Sequence, residues 1–236
     1  MVYLRIDEIS RFTGYDVQDE YGRNIGTVIS ISSSVDGRVE NISIKIADRS
    51  LESIDGERLK INDGKVVVVP LWKFEASRLI ENLDRAYKRR KALDTISGQN
   101  ELPSSVIEPM KRRLDEEIKA LRIKAEEVKR IINGRISEIE VDEIRVARAI
   151  ANIDILYFSG EVSEKGYTQS MNHLKRMRDI MTEEKRSAKE YLEKLEKTMQ
   201  LAFTGDKEVS KPKINNEETK VLQEQQQDSL VVKIEE

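Results

Sequence analysis

The sequence contains no cysteine and only one histidine. The first absence excludes disulfides, thiolate metal sites and cysteine nucleophiles, and the second excludes metal sites built from several histidines. His173 would have to carry any histidine-based catalysis, and it lies in a charged helical stretch where a plain surface role is usual. No Walker A phosphate-binding loop is present. We therefore predict a protein that is not an enzyme and that holds no metal and no cofactor.

Large apolar side chains and long hydrophobic runs are also scarce. Aromatic residues make up 5% of the 236 positions and charged residues 36%, against about 25% charged in an average globular protein. This composition is too polar for one compact core of this size, and it is typical of long exposed helices. No run reaches the roughly 18 apolar residues that a bilayer-spanning helix needs, so we expect a soluble, cytoplasmic protein.

Charge of one sign is not in excess over most of the chain. Lysine and arginine number 41 and aspartate and glutamate 44, and the last 32 residues, with eight acids and five lysines, account for the difference. A uniformly basic nucleic-acid binder is therefore not expected. The strongest local exception is a run of four cations, Lys88, Arg89, Arg90 and Lys91, which is a candidate contact to phosphates of lipid headgroups or DNA. The competing interpretation is a helix surface laced with paired charges.

Residues 1–73 have the pattern of a small β domain. Three Asp-Gly pairs occur there, at residues 36–37, 55–56 and 63–64. Each is a candidate hairpin turn, because both residues of such a pair tolerate positive φ. Ile42, Ile44 and Ile46 alternate with polar residues, which predicts a strand with one buried face. Short strands at this spacing predict a barrel.

From Trp72 onward the apolar period changes from two to seven, which is typical of a coiled coil. Helices are predicted over about residues 74–97, 105–157 and 163–204. The second and third carry heptad seams, with main positions at Leu114, Ile118, Leu121, Val128, Ile132, Leu174, Met181, Leu192, Leu195 and Met199. Two charged residues, Arg178 and Lys185, interrupt the third seam and can fix its register. The short break between these helices predicts an antiparallel hairpin, but the pattern leaves open whether it closes within one chain or between chains.

The second helix contains Gly134 in its interior, where the heptad register shifts. We expect one continuous helix, because glycine costs only about 1 kcal/mol inside a helix. Ser105 and Glu108 fit a capping box at its start.

The C-terminal segment divides into a polar stretch and a short apolar one. Residues 205–228 are predicted to be a disordered linker. Leu230, Val232 and Ile234 then alternate with Val231 and Lys233, which is the form of a peptide that adds as a strand to a partner's sheet. We predict that residues 229–236 bind a partner. The alternative is an unbound, frayed terminus.

The stretch from Gly14 to Val28 resembles the signature of the PRC-barrel family. The matching residues are Gly14, Val17, Asp19, Gly22, Ile25, Gly26 and Val28. The resemblance implies a small all-β barrel, and it names a fold rather than a role because one fold supports many functions. We expect Gly26 to need a positive φ or close backbone packing.

The order of parts along the whole chain resembles the CdvA family of archaeal cell-division proteins. The parts are the barrel (1–73), the coiled coil (74–204), the linker (205–228) and the terminal peptide (229–236). Members of that family polymerise, associate with membrane and nucleoid DNA, and recruit the ESCRT-III homologue CdvB. The resemblance implies a filament-forming scaffold at the division site whose terminal peptide adds to the winged-helix domain of a CdvB-like protein.

Two other functions fit parts of the sequence. The basic clusters are compatible with a structural protein associated with nucleic acid. Other PRC barrels are compatible with a factor in RNA processing or ribosome assembly.

Overall fold

The computed structural model describes residues 4–46, 50–98 and 103–203. The chain divides into two compact units, Met1–Ala202 and Phe203–Glu236. All contacts discussed below lie within the first unit. The predicted linker and terminal peptide lie outside the described residues.

The N-terminal part is a six-stranded sheet preceded by a short helix, α1, at Ile6–Ile9. The strands are β1 (Asp16–Asp19), β2 (Asn24–Ser33), β3 (Val39–Ile46), β4 (Ser50–Asp55), β5 (Leu59–Asn62) and β6 (Lys65–Val68). Their order is β4-β3-β2-β1-β6-β5, and every pair is antiparallel except β1 with β6. Because no ladder among these strands joins β4 to β5, the sheet is open and the predicted barrel is an approximate description.

Branched aliphatic side chains from all six strands and from α1 form one core. Ile42 and Ile44 are fully buried and Ile46 packs beside them, which confirms the one-faced strand that the alternation predicts. Gly26 has a φ of 153°, and a Cβ at this position would lie 2.5 Å from the Lys45 carbonyl oxygen. Both expectations for this glycine are therefore met.

Two of the three Asp-Gly pairs form hairpin turns. The pair at 36–37 connects β2 to β3, and Asp63 (φ 49°) with Gly64 (φ 69°) connects β5 to β6 as two left-handed residues, the geometry of a type I′ turn. The hairpin expected at Asp55-Gly56 is wrong. There Asp55 accepts a hydrogen bond from the Glu57 backbone N–H at 2.8 Å, and Gly56 begins a 3-10 turn against β3.

Three long helices follow: α2 (Leu71–Gly98), α3 (Ser104–Phe158) and α4 (Glu164–Phe203). As expected, α3 passes through Gly134 without a break, and its 55 residues extend roughly 80 Å. The capping box at Ser105 is wrong, because Pro103 is the extended residue before the helix and Ser105 already lies in the first turn.

Both helix pairs are antiparallel and close within one chain. Between α2 and α3, the Lys111 ammonium lies 3.2 Å from the Ser97 hydroxyl near the connection. Between α3 and α4, the Tyr157 and Tyr167 rings stack at 4.2 Å next to the turn, and Lys185 lies 2.7 Å from Glu143 further along. Within this chain, α3 and α4 therefore form the antiparallel hairpin that the sequence predicts.

Candidate functional site at the junction of sheet and helices

The predicted seam residues lie between helices of the same chain. The buried ones are Leu114, Ile118, Val128, Ile132, Met181 and Leu195. The half-buried ones are Leu121, Leu174, Leu192 and Met199. Between α3 and α4 the core contains Ile139, Val146 and Met181, with Ile150 and Leu174 packed against it. The seam therefore stabilises the folded chain, and a direct role in assembly stays a prediction.

The predicted phosphate-binding cluster is divided between paired and exposed side chains. Lys88 forms an ion pair with Asp84 at 2.7 Å, and Arg90 is paired with Asp115 of α3. Arg89 and Lys91 are exposed on α2. Half of the cluster's charge thus has an acidic neighbour, which weakens its attraction to phosphate.

Other sequence-predicted residues are spread over the molecule. His173 is exposed on α4, and the terminal peptide Leu230–Ile234 lies outside the part of the chain that the structure describes. Among the described residues there is no cluster of metal-ligating side chains, and no helix long and apolar enough to cross a bilayer.

The structure instead brings together charged residues at the junction between sheet and helices. The turn between β1 and β2 is ordered by Asp19, whose carboxylate accepts hydrogen bonds from the backbone N–H groups of Tyr21 and Arg23, each at 2.9 Å. The same carboxylate lies 2.6 Å from the Arg23 guanidinium. This turn therefore fixes the direction in which Arg23 leaves the sheet domain.

Arg23 contacts Glu184 of α4, which is the centre of the junction. The Arg23 Nη2 lies 2.8 Å from Glu184 Oε2, and the side chain of Glu184 is 1% exposed. Arg135 of α3 donates to both carboxylate oxygens, at 2.8 and 3.0 Å. The Trp72 indole N–H at the start of α2 lies 3.4 Å from the same carboxylate. One buried acid thus connects the sheet with all three long helices.

Electrostatics keep Glu184 ionised. Burial alone would raise the pKa of its carboxyl group, but the hydrogen bond from Arg135 and the charge of Arg23 hold this pKa below the ordinary value. The hydrogen bond to Glu184 in turn raises the pKa of Arg135. The junction is therefore a network in which Glu184 is the buried member, and the ionised Glu184 depends on the two half-buried arginines for compensation.

A second set of contacts lies beside the first. The Lys73 ammonium is 2.7 Å from the Glu20 carboxylate, and it lies between the rings of Tyr21 and Tyr191 at 5.6 and 5.5 Å from their centroids. Burial alone would raise the pKa of Glu20, but hydrogen bonds from Lys73 and Lys60 lower it below the ordinary value. These residues line an open groove of about 700 Å³ along the junction.

Sequence reasoning missed this junction. Glu184 lies one position before Lys185 and looks like an ordinary solvated acid on a coil surface. Arg23 and Arg135 are separated from it by long stretches of sequence, so no local period relates them. The only available signal is the lone tryptophan, Trp72, at the point where the β pattern ends.

The fold and the junction define a structural coiled-coil protein with an N-terminal sheet domain fixed to its helices. Residues 71–220, more than half of the chain, match the family model described as a CdvA-like coiled-coil domain. The chain belongs to this family, and the resemblance inferred from the order of parts is confirmed. It is also 29% identical over 193 residues to "Cell division protein A" of Sulfolobus acidocaldarius, which covers 82% of this chain and 81% of that protein. No solved structure matches.

Proposed function

We propose that this protein is a non-enzymatic scaffold of archaeal cell division. In this proposal it self-associates into filaments, associates with membrane and nucleoid at the division site, and recruits an ESCRT-III homologue of the CdvB type through residues 229–236. The observation that carries the proposal is the family match over residues 71–220. The similarity to a protein named for cell division points the same way.

The geometry of the helices supports a scaffold. A 55-residue helix is far longer than the average of about 11 residues in globular proteins, and it holds the other two long helices at different positions along its length. The buried carboxylate of Glu184 connects the sheet domain with these helices. A rigid connection of this kind keeps surfaces of one chain at fixed separations, which a repeating assembly requires.

The pattern of the terminal peptide supports recruitment. As an added strand, Leu230, Val232 and Ile234 would face a partner's groove, and Val231 and Lys233 would face away. Burial of three such side chains gains roughly 1.5–3 kcal/mol each, and ordering the segment costs about 2–5 kcal/mol or more. Main-chain hydrogen bonds add a little each, and the entropy of association opposes binding. We therefore expect a weak affinity, of micromolar order or looser, which a filament would increase by presenting many peptides together.

The pairing within the basic cluster bears on nucleic acid. Because Lys88 and Arg90 have acidic neighbours, we expect DNA association to be modest and strongly salt-dependent. It is a secondary property of the scaffold in this proposal.

The test is a pull-down of a CdvB-type protein with the full chain and with a chain that lacks residues 229–236. Sedimentation of both chains is measured in parallel. We expect the full chain alone to capture the partner and both chains to self-associate equally. Capture by both chains would refute recruitment through the terminal peptide, and a full chain that sediments as a monomer at all concentrations would refute the filament-forming scaffold.

A further inference from the structure

The distal half of α3 carries two apolar seams, and only one of them has a partner. The first seam faces α4 and includes Ile139, Val146 and Ile150. The second seam has the same alternating spacing of four and three residues. At 100° per residue, its members lie about 140° around the helix axis from those of the first seam, so it is on nearly the opposite side of α3. Its members are Ser137, Val141, Ile144, Arg148, Ala151, Ile155 and Phe158.

All seven residues of the second seam are exposed among the described residues. The exposed fractions are 49% for Val141, 54% for Ile144, 64% for Ile155 and 82% for Phe158. The first and last members are 21 residues apart, so the stripe is roughly 31 Å long at 1.5 Å per residue. Four large exposed apolar side chains on one stripe are unusual on a helix surface that faces only water.

The outer face of α4 provides an internal comparison. At the same end of the hairpin, that face presents Thr168, Asn172, Lys175 and Asp179, which are all exposed and polar. The solvent-facing side of α3 is therefore rich in apolar residues, and the compared face of α4 is polar. Between residues 164 and 180, α4 exposes one large apolar side chain, Met177, whereas α3 exposes Val141, Ile144, Ile155 and Phe158. This difference is expected when one helix packs on a further helix and the other does not.

We infer that the second seam of α3 binds the same seam of a second copy of this chain, in antiparallel orientation. In this arrangement the two-fold axis passes between residues 149 and 150 of both helices. Each a position of one stripe then faces a d position of the other. It pairs Val141 with Phe158, Ile144 with Ile155, and Arg148 with Ala151 of the second copy.

The Arg148 position selects this orientation. A parallel, in-register pair would place Arg148 against Arg148 in one core layer, and facing like charges are strongly unfavourable. In the antiparallel arrangement Arg148 meets the small Ala151, which leaves room for the aliphatic stem to lie across the interface while the guanidinium reaches water. The largest member, Phe158, then meets the smaller Val141.

The area of the stripe sets the strength of the contact. The paired positions, residues 141 to 158, extend roughly 26 Å at 1.5 Å per residue. A helix about 10–12 Å wide in contact along this length covers only about 280 Å², less than the roughly 800 Å² per partner of a standard stable interface. The seam therefore forms a weak, concentration-dependent pair that gains strength when many copies are aligned. This inference rests on the proposed self-association and names the surface responsible for it.

The first test uses disulfide formation, which is specific here because the chain has no cysteine of its own. Ile144→Cys and Ile155→Cys chains are oxidised separately and as a mixture. We expect a covalent dimer only in the mixture, because each cysteine lies roughly 16 Å along the axis from its counterpart in the second copy, beyond the reach of a disulfide. A covalent dimer of Ile144→Cys alone would overturn the antiparallel register, and no dimer in the mixture would overturn the interface.

The second test compares sedimentation of the wild-type chain with two double variants. Ile144→Glu with Ile155→Glu adds two charges to the seam, and Thr168→Glu with Asn172→Glu adds the same two charges to the polar face of α4. We expect at least a tenfold rise in the concentration needed for self-association in the first variant and no change in the second. If the wild type self-associates and the seam variant does so equally, the inference fails while the proposed scaffold stands. If the wild type is monomeric, the proposed self-association itself fails. If the seam variant sediments like the wild type but no longer floats with anionic phospholipid vesicles, the seam binds lipid and the inference is overturned.

Discussion

The Arg23 guanidinium, on the turn between β1 and β2, lies 2.8 Å from the carboxylate of Glu184, which is buried on α4. This contact joins residues 161 positions apart in the sequence, and it connects the sheet domain to the helical hairpin. Arg135 completes the arrangement from α3. The sheet is therefore held against the helices by an ion network centred on a carboxylate that is protected from water.

Substitution of the central acid should destabilise the whole first unit. Glu184→Gln removes the negative charge between Arg23 and Arg135. Breaking a fully buried ion pair from one side costs about 3–5 kcal/mol, and we expect a smaller loss here because the two arginines are 33% and 28% exposed. We expect a lower midpoint in urea unfolding followed by circular dichroism. The control is Glu183→Gln, whose side chain is exposed, and surface ion pairs contribute little. Equal midpoints for wild type and Glu184→Gln would show that the junction is not a stabilising contact.

The lowered pKa of Glu184 leads to a prediction of how the stability of the chain depends on pH in acid. Its pKa is lower in the folded chain than the ordinary value of 4.5, so its contribution is present above that value and is lost as the pH falls through the folded pKa. Arginine side chains in general stay charged throughout this range. We expect the difference in unfolding free energy between wild type and Glu184→Gln to shrink as the pH falls below about 4.5. A difference independent of pH would contradict an ionised Glu184.

Two glycine substitutions should change the stability of the fold in opposite directions. Gly26→Val should destabilise the sheet domain by about 1–3 kcal/mol, because the backbone is left-handed and a Cβ meets the Lys45 carbonyl oxygen. Gly134→Ala should raise stability by up to about 1 kcal/mol, because it lies within α3 with open space around it. The unfolding midpoint of each variant, measured by thermal unfolding, shows whether it is less or more stable than the wild type. Stabilisation by Gly26→Val would refute the close packing of β2 on β3.

Charge placed in the hairpin core should open it. Leu195 is fully buried on α4, so Leu195→Asp, alone or with Leu192→Asp, buries an unpaired carboxylate or forces the helix away. We expect loss of helical signal at lower temperature than in the wild type. Leu201→Asp is the matched control, since Leu201 is exposed on the same helix. An equal effect of the two single variants would contradict the placement of the seam.

Periodicity explains why the secondary structure could be predicted and the junction could not. The alternation at Ile42–Ile46 and the heptads from Trp72 onward are local signals, and they lead to the observed strand and helices. Asp55-Gly56 shows the limit of a dipeptide signal, because the contact with β3 that decides its geometry is distant in sequence. The charges at Arg23, Arg135 and Glu184 lie in different elements, and only the folded chain brings them together.

The second seam of α3 shows a different limit. Heptad patterns identify apolar positions but not which of two stripes receives the neighbouring helix. In this chain the stripe through Ile139 and Val146 packs on α4, and the stripe through Ile144 and Ile155 stays exposed. Burial in the structure is needed to tell them apart.

The central claim, recruitment by the terminal peptide, is tested most directly by isothermal titration of the chain with a CdvB-type winged-helix domain. Three chains are compared: wild type, Val232→Asp, and Val231→Asp as the control on the opposite side of the strand. We expect measurable binding by the wild type, of micromolar order or looser, no detectable binding by Val232→Asp, and affinity close to the wild type for Val231→Asp. Unchanged affinity in Val232→Asp would contradict the proposal that this peptide recruits the partner.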